Sequence, residues 1–140
     1  TGNGMANLIT GGSGADTLAG GGGRDTLVGG GGADAFLYAG IGDALDLIIA
    51  YDAAEDSIAV RAGGFGGGLE AGMALGALGR FVQNTTGRSD APAGTGQFIF
   101  ETDAARLWWD ADGAGGAAGM VLLRLPGVAS LAATEIVVIA

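Results

Sequence analysis

The sequence predicts an all-β fold made of stacked coils at the N-terminal end and a block of short β-strands after it. Three observations carry this. A nine-residue period runs through Gly2–Asp46. Glycine supplies 31 of 140 residues with only 2 prolines, so tight turns are frequent. Short apolar runs bounded by turn residues recur in the second half: QFIFE, RLWW, MVLLRL and EIVVIA.

The period is clearest in GGSGADTLA, GGGGRDTLV and GGGGADAFL, at Gly11–Ala19, Gly20–Val28 and Gly29–Leu37. GNGMANLIT (Gly2–Thr10) fits more loosely upstream, and YAGIGDALD (Tyr38–Asp46) keeps the phase downstream. The sixth positions read Asn7, Asp16, Asp25, Asp34, Asp43, and the eighth Ile9, Leu18, Leu27, Phe36, Leu45. Glycines allow a six-residue tight turn, and the remaining three residues make a minimal strand with one inward side chain. A lone strand of that length cannot bury its apolar residue. Two repeats forming one coil of 18 residues can, because successive coils then stack strand on strand and turn on turn.

Stacking also aligns the acids. Asp16 is expected over Asp34, Asn7 over Asp25, and Asp25 over Asp43. Carboxylates and turn carbonyls, with no nitrogen or sulfur donors, suit a hard cation. Calcium, which takes six to eight oxygens in flexible geometry, fits better than octahedral magnesium.

The pattern GGxGxDxUx in these residues resembles the hemolysin-type (RTX) calcium-binding repeat. The resemblance implies a parallel β-roll. It also implies ligand sets in which one turn supplies its second and fourth carbonyls and its Asp, and the turn one coil on its first and third carbonyls and its Asp. One site would then use Gly12, Gly14 and Asp16 with Gly29, Gly31 and Asp34. A second would use Gly21, Gly23 and Asp25 with Tyr38, Gly40 and Asp43. A third would use Asn3, Met5 and Asn7 with Gly20, Gly22 and Asp25. The expectation is about two to three calcium ions. Tyr38 and Ala39 stand where the second site wants glycine, and Met5 and Asn7 depart from the pattern in the third.

DLIIAYDAAEDSIAV (Asp46–Val60) reads as strand, turn and strand. It is similar to the segment that closes RTX rolls, DxIxDFxxxxDxIxL, with Asp46, Ile48, Tyr51, Asp56 and Ile58 in frame. Ala50 replaces the middle Asp, so no metal role is carried over here. Residues 1–60 are thus expected to form the roll and its closing strands, and residues 61–140 a C-terminal β cap packed on it. Within the cap, Gln97–Glu101 and Arg106–Trp109 are expected to pair around a turn at Thr102–Ala105. Of the adjacent Trp108 and Trp109, one should enter the core and the other face out. Asp110-Ala111-Asp112-Gly113 begins like an EF-hand loop, but Ala114 and Val121 occupy positions that need oxygen ligands, so an Asx-capped turn is expected. The terminal EIVVIA should pair in a sheet or be read by a partner while unfolded. With the preceding residues it resembles the C-terminal region of proteins exported by bacterial type I secretion.

Composition limits the function. There is no His, Cys or Lys, which removes the usual general bases, nucleophile pairs and zinc ligands. The net charge of −9 disfavours nucleic acid as a partner. No apolar run is long enough to span a membrane, so no stable membrane insertion is expected. TGNGMANLIT shows no signal-peptide pattern and reads as part of a longer chain. The resemblance implies a non-catalytic, calcium-binding part of a secreted, extracellular protein whose partners are calcium ions and the type I secretion machinery. A polysaccharide-binding module is the alternative. It would gain if the arginines beyond the repeats (Arg61, Arg80, Arg88, Arg106 and Arg124) converged near Trp108 or Trp109.

Overall fold

The computed structural model describes residues 1–140. Alternation in the short segments of the repeats sends every second side chain inward, and the strands divide between two facing sheets. Strands β1 (Leu8–Ser13), β3 (Thr26–Gly31) and β5 (Asp46–Ile49) lie on one side, and β2 (Thr17–Leu18), β4 (Ala35–Tyr38) and β6 (Ser57–Arg61) on the other. All neighbours within these two sets pair in parallel. Leu27 sits opposite Ile9 and Ile48, and Phe36 opposite Leu18 and Ile58. Leu18, Leu27, Phe36, Ile48 and Ile58 are buried between the sheets. This is a parallel β-roll.

One expected core position moves. Leu45, eighth in the fifth repeat, is 46% exposed, and Ile48 takes its place opposite Leu27. A 3-10 turn at Ile41–Asp43 lengthens that coil, and Leu45 leaves the strand conformation at φ +79°.

The second half extends both sheets of the roll. Strands β7 (Phe81–Asn84), β8 (Gln97–Glu101), β9 (Arg106–Asp110) and β10 (Met120–Arg124) give the first sheet the order β1-β3-β5-β10-β9-β8-β7. β8 and β9 form the expected antiparallel hairpin, and β10 joins β9 antiparallel and β5 parallel. Strand β11 (Ile136–Ile139) pairs in parallel with β6 and completes the order β11-β6-β4-β2. The terminal run is therefore a strand of the roll's own second sheet. Tyr51 reinforces this closure, its Oη lying 3.1 Å from the carbonyl of Asp56 and 3.2 Å from Oε2 of Glu135.

One apolar cluster runs through both halves of the chain, from Leu18 to Val138. The Trp pair divides as alternation requires. Trp109 is buried against Phe98 (ring centroids 4.6 Å apart) and donates from Nε1 to the Phe65 carbonyl, while Trp108 is half-buried on the outer face. Arg80 holds two loops together by donating to the carbonyls of Gly67 (2.6 Å) and Gly96 (3.0 Å).

Candidate metal centre

At the two edges of the roll, the sixth residues of the repeats stack as ladders. On one edge the Asn7 N–H donates to Asp25 Oδ1 (2.7 Å), and the Asp25 N–H donates to Asp46 Oδ1 (2.8 Å). On the other the Asp16 N–H donates to Asp34 Oδ1 (2.9 Å), and the Asp34 N–H to Asp56 Oδ1 (3.0 Å). Asp25, Asp34, Asp46 and Asp56 each spend one oxygen on the backbone of the coil before, while Asp16, at the end of its ladder, accepts no backbone N–H. Oδ2 of Asp16, Asp25, Asp34 and Asp46 are buried with no hydrogen bond. Four buried, unpartnered carboxylate oxygens in one small domain are costly unless a cation meets them. Asp56 ends its ladder differently, because its Oδ2 accepts the Asp52 N–H (2.9 Å).

The glycine turns bring further oxygens to the same place. A Cβ on Gly11 would lie 2.5 Å from the carbonyl of Gly29 and 2.8 Å from Asp16 Oδ2, so only glycine leaves that space open. The equivalent space at Gly2 is bounded by the Gly20 carbonyl and Asn7 Oδ1. Carbonyls of Gly12 and Gly14 abut Gly30 and Gly32, and those of Asn3 and Met5 abut Gly21 and Gly23, each pair one coil apart. No three acidic side chains cluster at a point. Carboxylates arrive one per coil, and the remaining oxygens are backbone carbonyls. That donor set fits a hard divalent ion of flexible coordination.

The structure brings Asp16 with Asp34 and Asn7 with Asp25, as the nine-residue phase requires. It does not bring Asp43 to Asp25. Asp43 folds back on its own turn, where Oδ2 accepts the Ala39 N–H (2.8 Å), and Asp46 takes the rung. The separations are 18 residues for the regular rungs, then 21 and 22 for Asp46 and Asp56. The 3-10 turn absorbs the extra residues. Tyr38 enters β4 opposite Val60, and Gly40 packs against Gly64. The carbonyl that approaches Gly22 from the closing coil belongs to Gly42. The readable signal for Asp46 and Asp56 was their place in the frame of the closing segment.

Electrostatics agree with the need for a cation. Burial pushes the Asp46 carboxyl up to about 6; the backbone hydrogen bond from Asp25 pulls it down, and the Asp25 charge adds to the rise. Tyr38 Oη is also buried without a hydrogen bond, and burial followed by the Asp46 charge holds it well above the ordinary tyrosine value. At the N-terminal turn the neutral Asn7 closes its loop instead, accepting the Asn3 N–H at Oδ1 (2.9 Å).

Residues 1–35 are RTX calcium-binding nonapeptide repeats. The family model matches them in four copies, taking in the looser Gly2–Thr10 and ending before Tyr38. No curated protein matches the chain. The RTX match ends six residues before the 3-10 turn at Ile41–Asp43, beyond which the ladder changes its spacing.

Glycine in the RTX turns makes a sharp expectation. Gly30 has φ +116°, and a Cβ there would collide with the Gly12 carbonyl. Gly30→Ala should lower stability by about 2 kcal/mol or more, since the conformation alone costs about 1–2 kcal/mol. Gly31→Ala, where a Cβ meets nothing within 4 Å, should leave the thermal midpoint nearly unchanged. Thermal unfolding of both variants in calcium checks the contrast.

Proposed function

We propose that this chain is a calcium-dependent folding module of a secreted, extracellular protein. The observation that carries the reading is the set of four buried aspartate oxygens without partners, stacked along the edges of an RTX roll. Gly12, Gly14, Asp16, Gly29, Gly31 and Asp34 would hold one ion. Gly20, Gly22 and Asp25 with Asn3, Met5 and Asn7 would hold a weaker one. Asp25 and Asp46, with the Gly21 and Gly23 carbonyls, would hold a third, Asp46 standing where Asp43 was expected. A bound calcium ion supplies positive charge and oxygen coordination there, which offsets carboxylate repulsion. The module itself performs no reaction in this reading.

The C-terminal strand supports a role in export by a type I machinery. EIVVIA has the form such tails take, and in the folded chain it is a strand paired along β6. A partner could read it only before folding, so export of the unfolded chain and folding outside in calcium form one sequence of events.

Calorimetric titration with Ca²⁺ tests the assignment, with about two to three ions expected for the unchanged chain. Asp16→Ala combined with Asp34→Ala should remove one of them. Asp43→Ala should remove none, because its carboxylate caps its own turn. Equal stoichiometry in the first variant and a lost ion in the second would overturn the ladder assignment.

A further inference from the structure

Six arginines are the only basic residues in a chain of net charge −9. Two of them are engaged elsewhere: Arg80 donates to loop carbonyls, and the exposed Arg61 donates to the carbonyl of Ala140 (3.0 Å). The other four gather along the outer face of the first sheet. Arg124 on β10 lies directly across from Arg106 on β9, and both line a cavity of about 380 Å³ together with Arg24 from the turn before β3. A second groove of about 600 Å³, lined by Arg88, Trp108 and Asp110, lies further along β9. Arg106, Trp108 and Asp110 alternate onto this outer face, so the two cavities share one strand.

The local chemistry is already arranged. Arg106 makes the one ion pair of the structure, with Glu101 (Nε to Oε2, 2.8 Å), and its guanidinium stands 5.2 Å from the Trp108 ring centroid. Glu101 also accepts from Trp108 Nε1 (2.8 Å), so the indole is held in one orientation. Arg24, Arg88 and Arg124 are exposed and have no carboxylate within ion-pair distance. Three free guanidiniums and a fixed, half-buried indole stand on this face beside Asp25, Asp46 and Asp110, so a cation on the Asp25–Asp46 rung leaves the first cavity clearly positive in an acidic protein.

We propose that this face binds an acidic polysaccharide, a sugar chain bearing carboxylate or sulfate groups. Guanidinium forks pair with such groups bidentately, and the flat indole offers an apolar surface to a sugar ring. An extended chain is required to reach both cavities. Asp25 and Asp46 line the first cavity, so calcium on their ladder should strengthen binding by removing negative charge beside Arg24 and Arg124; to that extent the proposal rests on the calcium reading above.

The test uses the full chain at fixed, saturating free calcium, with dextran sulfate, polygalacturonate and neutral dextran as probes in calorimetry. Both anionic polymers should bind and neutral dextran should not. Arg24→Gln with Arg124→Gln should weaken binding about tenfold or more. The thermal midpoint in calcium and the number of calcium ions bound should stay unchanged in that double variant. Arg61→Gln, off this face, should bind as the unchanged chain does. No binding by the unchanged chain, equal binding of neutral dextran, or equal loss in Arg61→Gln would overturn the proposal. A chain that folds without calcium would sink the folding reading and leave this test intact.

Discussion

Chelation of calcium with EGTA should abolish most of the β-sheet circular dichroism signal, and excess Ca²⁺ should restore it. Without an ion, the edges of the roll hold Asp25–Asp46 and Asp16–Asp34 one coil apart with inward oxygens unpartnered. Each such oxygen carries a desolvation cost of about 1–3 kcal/mol or more. The glycine turns add a further opposing term, since glycine loses more backbone freedom on folding than any other residue. Calcium acts by mass action: at ten times its Kd each site contributes about 1.4 kcal/mol, and two to three sites about 3–4 kcal/mol. Native stabilities run to about 5–15 kcal/mol, so that share decides whether the domain folds. Identical spectra and thermal midpoints with EGTA and with calcium would defeat the reading.

Deletion of Ile136–Ala140 should abolish cooperative unfolding even in saturating calcium. Ile136 and Val138 are each 3% exposed in the core, and β11 pairs with β6 along four residues. Loss of two buried aliphatic side chains costs on the order of 4–7 kcal/mol by the usual scale of large-to-small changes. The deletion also leaves β6 as an open edge, which invites aggregation. Val138→Ala is the milder form, expected to cost about 2 kcal/mol and so roughly 4–8 °C in thermal midpoint. A deleted chain melting within about 2 °C of the full one would mean that the terminal strand serves recognition alone.

The repeats were legible because their physics is local. A strict nine-residue phase places Asp16 over Asp34 and Asn7 over Asp25 in any coil of 18 residues, and it buries Leu18, Leu27 and Phe36 by the same count. The hairpin of Gln97–Glu101 and the division of Trp108 from Trp109 followed from alternation in the same way. The Asx turn at Asp110 also formed, with the Asp112 N–H donating to Asp110 Oδ1 (3.2 Å).

Counting failed where the period was interrupted. Asp43 and Leu45 are in phase on paper, yet Asp46 and Ile48 occupy the rung and the core position. Which residues a longer coil loops out depends on what its neighbours can pair with, and β5 is held between β3 and β10. That partner on the far side lies over seventy residues away in the chain.

Composition and periodicity alone thus determined the all-β class, the stacked coils, the oxygen-only donor set and the candidate ion. Each depends on contacts between residues nine or eighteen apart, where spacing is geometry. Only the tertiary structure decided the last rung of the ladder, the placement of EIVVIA as a strand of the roll, and the meeting of Arg24, Arg88, Arg106 and Arg124 on one face. Those depend on which distant strands share a sheet, a choice made by burial of the common core rather than by any local pattern.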